Sequence, residues 1–323
     1  MNRSQNRPCA LATVLAALLM GLAGIALASP HQSWGEAFAS RQDAAQAFIQ
    51  AMRGNNQAAL LKILGPDAKS IVNSGDPVAD HAVINRIVSA YDQMHRFVPT
   101  SDRRIFLYVG AENWPLPIPL IERAGKWYFD TAFGKEEILA RRVGRNELDA
   151  IQVCEAIVQA QHQYASQAQA GESTAQYAQK ILSDSGKHNG LFWKTAPGEP
   201  TSPLGPLVAS ASAQGYRHSG SKPTPYHGYI YRILKEQGPH APGGAHSYLQ
   251  DGKMTRGFAV LAYPAVYRAS GVMTFIAGED GTVYQKDLGA ATNTIAASIK
   301  SFDPDSTWER VPAEDEQAGG APA

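Results

Sequence analysis

The sequence predicts an α+β protein, on three observations. Apolar residues recur at helical spacing between residues 40 and 98. The pattern then changes to short apolar runs bounded by turn residues over 105–130, and such runs return in the last third of the chain. A longer stretch of helical period, from about Lys135 to Tyr164, stands between them. Helices segregated from antiparallel strands make an α+β arrangement.

Arg3 and Arg7 precede an almost wholly apolar run over residues 10–28, which closes on Ala26-Leu27-Ala28. A basic start, an apolar stretch and a small-x-small triplet mark a secretory signal peptide. Residues 1–28 are expected to be removed after Ala28, with Ser29 first in the mature protein. An uncleaved anchor needs a run of about this length, but the alanine-rich, glycine-broken character favours cleavage. A periplasmic or secreted protein is therefore expected. Cys9 precedes the apolar run and is misplaced for lipid attachment. The mature chain keeps Cys154 alone and can form no internal disulfide. The 29 basic residues less Arg3 and Arg7 leave 27, against 29 acidic. No basic excess points to nucleic acid or anionic lipid. No second apolar run is long enough to span a membrane.

Ser40 reads as a helix N-cap with Asp43 in the first turn, followed by Ala45, Phe48, Ile49 and Met52 on one face. Gly54-Asn55 breaks that helix. A second carries Leu60, Leu61 and Leu64 and stops at Gly65-Pro66. Asp80 is expected to cap a third, with Ile84, Ile87, Val88, Tyr91 and Val98 on its apolar face and Pro99 at its end. Ile105 to Val109 reads as a buried strand. Residues 116–121 read as an edge strand interrupted by Pro117 and Pro119. Residues 126–130 form another, after a turn at 123–125. Residues 29–133 thus form an N-terminal α+β module, similar in pattern to the cone-shaped folds of nuclear transport factor 2.

Residues 134–311 are expected to form a second module, a long helix and a β-meander. The helix stripe is Leu148, Ile151, Cys154, Ile157 or Val158, Gln161 and Tyr164, with Cys154 a buried apolar side chain. A short helix is expected over 174–182, then an irregular region over 183–226. Strands follow near 229–234, 246–249 and 257–263, then a hairpin across Glu279-Asp280-Gly281. A helix over 290–300 closes the fold, and 312–323 reads as a disordered tail.

Several long motifs run through this frame: GKHNGLFW (186–193), SPLGPL (202–207), PYHGYIYRIL (225–234), GFAVLAYPAVYRASGVMTFI (257–276) and GTVYQKDLG (281–289). With GDPVAD (75–80), NWPLPIPL (113–120) and GKEEILARRVGRNEL (134–148), the chain resembles a bacterial exported family, domain of unknown function 2950. The resemblance implies export and a shared fold, and no activity. It departs at Asn189, where the family implies an acid, and at Phe192, where it implies a tyrosine. The C-terminal half also looks like the globular head of pilins and pseudopilins. Those proteins retain their apolar helix, whereas here the apolar run lies in the signal.

Five of the nine histidines, His188, His218, His227, His240 and His246, fall in the loop-rich third. With Tyr226, Tyr229 and Tyr231 they could line a pocket, imidazole being the usual base and metal ligand near neutral pH. No pair has helical metal-site spacing and no H-E-x-x-H or CxxC occurs, so no metal or cofactor is expected. The candidate ligand-binding residues are His188, Tyr226, His227 and His246; no catalytic residue is assigned. Ser219 to Lys222 matches S-x-x-K, but Pro223 and Pro225 forbid the helix that motif needs. The glycines of 238–244 lack phosphate-loop spacing. Glu136-Glu137, Arg141-Arg142 and Arg145-Glu147 read as helix-surface charges. Trp114 among its prolines suits a partner, or a stiffened edge strand. The expected function is a non-catalytic envelope protein that binds an unknown envelope partner or small ligand through its C-terminal loops. An envelope hydrolase using His227 or His188 with a tyrosine or carboxylate is one alternative; a pilin-like secretion accessory is another.

Overall fold

The computed structural model describes residues 34–167, 175–196, 198–217 and 224–312. The expected signal peptide, His218, the S-x-x-K stretch and all of the tail except Pro312 lie outside them. The described residues belong to one compact unit, and they hold two hydrophobic cores. Among them, no helix is long and apolar enough to cross a membrane.

The first core begins with α1 (Arg41–Arg53), where the Ser40 hydroxyl accepts the Asp43 amide at 3.0 Å and Ala45, Phe48, Ile49 and Met52 are buried. Then come α2 (Gln57–Leu64), a 3-10 turn at Pro66–Ala68, α3 (Lys69–Val72) and α4 (Pro77–Gln93). The cap of α4 is Asp76 rather than Asp80, because Pro77 takes the first helical position, where its fixed φ suits the helix. Asp80 lies in the first turn and accepts the Ser74 amide instead. Nor does α4 reach Val98. Met94 is extended (φ −165°), and residues 95–99 form strand β1 (His95–Pro99) on β2 (Ile105–Val109). The helical phase of Val98 is coincidental; a strand neighbour takes up its backbone.

The expected strand at 116–121 is two pieces, β3 (Trp114–Pro115) and β4 (Leu120–Arg123), because Pro117 and Pro119 between them have no amide to give a ladder. With β5 (Lys126–Phe129) they make an antiparallel sheet in the order β1-β2-β4-β5, with β3 also on β2. The helices cover one face of it through Phe48, Leu60, Leu64 and Ile87.

Helix α5 (Thr131–Ser166) runs unbroken for 36 residues, about 54 Å at the α-helical rise. Asp130 caps it, so it starts before Lys135. Its first turn fits tightly under the proline segment: a Cβ on Gly134 would stand 2.4 Å from the Pro117 carbonyl oxygen. Further on, Val153, Cys154, Ile157, Val158, Gln161 and Tyr164 are buried in the second core. Leu148, expected in that stripe, is 60% exposed, one step off the covered face. Burial pushes the Cys154 thiol far above its ordinary range, as an inert core residue requires.

The helix expected at 174–182 is absent from its described part, residues 175–182. The Gln161 side-chain amide both donates to the Ala178 carbonyl and accepts its amide, each at 2.8 Å, and the Tyr177 amide donates to Met254. A buried amide that mimics a strand edge holds this segment extended. Helix α6 (Gly205–Ala213) lies inside the region expected to be irregular. The rest is strands β6 (Tyr229–Leu234), β7 (Glu236–Gln237), β8 (His246–Ser247), β9 (Leu249–Gln250), β10 (Lys253–Met254), β11 (Ala259–Pro264), β12 (Met273–Gly278) and β13 (Val283–Asp287). Helix α7 (Thr292–Ser298), β14 (Ser301–Phe302) and β15 (Glu309–Arg310) end it. The main sheet is antiparallel, in the order β15-β13-β12-β11-β6, with α5 packed on β11 and β12. The hairpin across 279–281 is present, pairing Ala277 with Val283. The architecture is α+β.

Candidate functional site

The GDPVAD stretch is the point where distant parts of the chain meet. Asp76 is 1% exposed. Its Oδ1 accepts the amides of Val78 and Ala79 at the start of α4. Its Oδ2 accepts the Tyr216 hydroxyl at 2.8 Å and the Gly228 amide at 2.9 Å. One carboxylate therefore carries four donors, two from its own helix and two from the C-terminal loops. Burial, reinforced by Asp76, pushes the Tyr216 hydroxyl well above its usual range, so it stays a donor.

Helix α5 supplies the opposite side. The Asn146 side chain donates to the Ser270 carbonyl at 2.8 Å. Glu147, expected to pair with Arg145 on the surface, instead accepts the amides of Val272 and Met273, both at 2.9 Å. Those amides lie at the start of β12, and a carboxylate facing them satisfies both. Arg142 is not a surface charge either: it donates to the carbonyls of Ser70, Ile71 and Ala269. Asp149, one turn on from Asn146, stands with Oδ2 3.0 Å from Nδ1 of His227.

His227 occupies a left-handed backbone conformation (φ +50°), which a non-glycine residue adopts only when its surroundings hold it there. Its ring lies 4.2 Å from that of Tyr226, and Tyr226 lies 4.9 Å from Tyr216. Beyond Tyr226 opens a cleft of about 460 Å³ between α5, the extended segment at 180–182, α6 and β6. Its walls include Val153, Ile157, Leu207, Val208, Tyr226 and Tyr231. The tyrosine hydroxyls are tied away: Tyr231 donates to the Tyr226 carbonyl at 3.4 Å, and Tyr226 bonds Ser210 and Gln214. The walls thus present rings and aliphatic groups, with Lys180 and Arg217 at the border. Lys180 is held by Asp184 at 2.8 Å.

Two of the four expected site residues, Tyr226 and His227, come together here. Tyr226 lines the cleft and His227 stands behind it. His188 lies elsewhere, stacked on Trp193 at 4.4 Å. His246 is held between the carbonyls of Gly244 at 3.1 Å and Arg256 at 3.4 Å. Among the described residues, no group of three His, Cys, Asp or Glu side chains is arranged to hold a metal ion. Asn189 accepts the Asp184 amide and donates to its carboxylate at 2.8 Å. An acid at 189 would set two carboxylates together, so asparagine suits this position.

A family model described as "Protein of unknown function (DUF2950)" matches residues 35–311. The chain belongs to the DUF2950 family. No curated protein and no solved structure matches it. The matched span covers every residue of this junction, from Asp76 to Met273. The signal for Asp76 was present as an N-cap before proline. Its second role has no local signature, nor has that of Asp149.

Asp80 gives the DUF2950 protein a pH dependence. Burial raises its carboxyl above the ordinary 3.8, against the lowering effects of Ser74 and Arg142. The folded state therefore holds this proton to higher pH than the unfolded chain does. Its contribution to stability is full below 3.8 and is lost as pH rises through the raised folded value. Asp80→Asn is expected to flatten stability against pH in that window. Urea denaturation between about pH 3.5 and 7 reads it, and an unchanged slope excludes Asp80 as the source.

Proposed function

We propose that this DUF2950 protein is an exported, non-catalytic protein that binds a small, largely apolar ligand in the tyrosine-walled cleft. The carrying observation is the cleft itself. Its volume of about 460 Å³ falls in the range of small-molecule sites, about 300–1,000 Å³. Its tyrosines have their hydroxyls bonded to protein, so ring faces are what a ligand meets. The basic start and the Ala-Leu-Ala triplet support export. The test is titration of the mature chain with the neutral dye N-phenyl-1-naphthylamine, together with intact mass of the periplasmic fraction. Saturable binding that falls at least about tenfold in Leu207→Glu is expected. Binding unaffected by Leu207→Glu, or a chain still carrying residues 1–28, overturns the respective half of the reading.

A second reading, an envelope hydrolase, is favoured by the His227–Asp149 pair. A carboxylate at 3.0 Å from Nδ1 holds the imidazole with Nε2 as base. Among the described residues no hydroxyl or thiol is bonded to Nε2, so water would be the nucleophile. Hydrolysis of p-nitrophenyl butyrate abolished in His227→Ala, with dye binding retained, selects this reading; no turnover in either protein rejects it.

A further inference from the structure

The first core contains a second cavity, of about 190 Å³, beneath the Trp-Pro-Leu-Pro-Ile-Pro stretch. Its floor is fully apolar, built from the buried Leu60, Leu64, Ile87, Leu116 and Ile118. Four lining residues are exposed and so mark its open side: Val83 (41%), Trp114 (40%), Arg141 and Arg145. Exposed large apolar side chains beside polar ones at the rim of an apolar cavity are a mark of ligand-binding grooves. An apolar cavity of about 150 Å³ accepts benzene, so this one has room for a slightly larger single body.

The charges at the rim fix the polarity of the guest. Arg145 makes no hydrogen bond or ion pair among the described residues. Arg141 is paired only with the exposed Glu137, 2.5 Å away, an i,i+4 surface contact that contributes little. The two guanidinium groups lie one turn apart on α5, on the same face. Arg142, beside them, is committed to the carbonyls of Ser70, Ile71 and Ala269. Asp80 is the sole acid in the lining, and its carboxylate is engaged by the Ser74 amide at 3.0 Å. An apolar floor with two guanidinium groups at its opening, Arg145 without an acidic partner among the described residues and Arg141 held only by an exposed carboxylate, matches an apolar tail with an anionic head.

We propose that this cavity binds a single-chain amphipathic anion, of the class of medium-chain carboxylates, with its tail on Leu60, Leu116 and Ile118 and its head on Arg141 and Arg145. The cavity is too small for a two-chain lipid. This site is separate from the tyrosine-walled cleft and does not depend on the reading given for it.

The test is calorimetric titration of the mature chain with octanoate, 1-octanol and acetate. Octanoate is expected to bind, with octanol and acetate each at least about tenfold weaker, since each lacks the tail or the charge-assisted bonds. Arg141→Gln/Arg145→Gln, both surface changes, should bring octanoate down to the octanol level. Ile84→Trp should block all three by filling the cavity. Leu207→Glu, in the other cleft, should leave octanoate binding as it was. No octanoate binding at millimolar concentration overturns the proposal. So does wild-type affinity in the double arginine variant, or loss of binding in Leu207→Glu.

Discussion

Asp76→Ala is expected to lower the stability of the folded chain by about 3–5 kcal/mol and its melting temperature by about 10 °C. The substitution removes the cap of α4, contributing about 0.5–2 kcal/mol. It also strips the buried Tyr216 hydroxyl and Gly228 amide of their acceptor, and each buried donor left unpaired costs about 1–3 kcal/mol. No water-exposed route satisfies them, since Asp76 itself is 1% exposed. Asp76→Asn should fall between: its amide oxygen can serve one side, but its NH₂ then meets the Gly228 amide as a second donor. Ser40→Ala supplies the comparison. Ser40 caps α1 in an exposed position, and its loss should cost only about 1 kcal/mol. Urea denaturation of the three variants separates the two cases. A loss in Asp76→Ala no larger than in Ser40→Ala would show that the bonds to Tyr216 and Gly228 contribute nothing.

The same comparison explains what the sequence could and could not reveal. Ser40 with Asp43, the Gly65-Pro66 stop and the Glu279-Asp280-Gly281 hairpin are local signals, complete within four residues, and each lies where it was expected. Val98 misled because a strand residue can fall on a helical phase by chance; only its pairing with Phe106 identifies it. Residues 175–182 misled because their conformation is imposed by Gln161, from another element. Helix α6 has Pro206 at its start and small residues after it, a composition shared with loops. The candidate site divides along the same line. Tyr226 and His227 were legible as neighbours at the start of β6. Asp76 bonds Tyr216 across 140 residues and Gly228 across 152, and no spacing rule reaches that far. Glu147 and Arg142 looked like surface charges because their partners are backbone groups, which have no letter in the sequence.

Gly228→Ala should show how closely the two sides of the junction approach, with an expected loss of about 3–5 kcal/mol. Gly228 has φ +74°, where a side chain costs about 1–2 kcal/mol. Its second constraint is space. A Cβ there would stand 2.5 Å from Nδ2 of Asn146 and 2.9 Å from Cβ of Ser270. Asn146 cannot retreat without breaking its 2.8 Å bond to the Ser270 carbonyl, and overpacking of this kind costs about 1–3 kcal/mol more. Gly186 isolates the first term: its φ is +71°, with nothing within 4 Å of the added atom. Gly186→Ala should therefore cost only about 1–2 kcal/mol, and the difference between the two variants measures the contact. Adding Asn146→Ala to Gly228→Ala opens the space and should make the double variant less destabilised than the two single losses summed, a coupling of about 1–2 kcal/mol. The turn that carries Gly228 also carries Tyr226 and His227, so Gly228→Ala should weaken dye binding in the cleft while Gly186→Ala leaves it unchanged. Equal stability losses in Gly228→Ala and Gly186→Ala, or additive losses in the double variant, would mean that α5 and the Tyr226–Gly228 turn are not in contact. The bridge from Asp76 through Gly228 to Asn146 would then not be what joins the cleft to the first core.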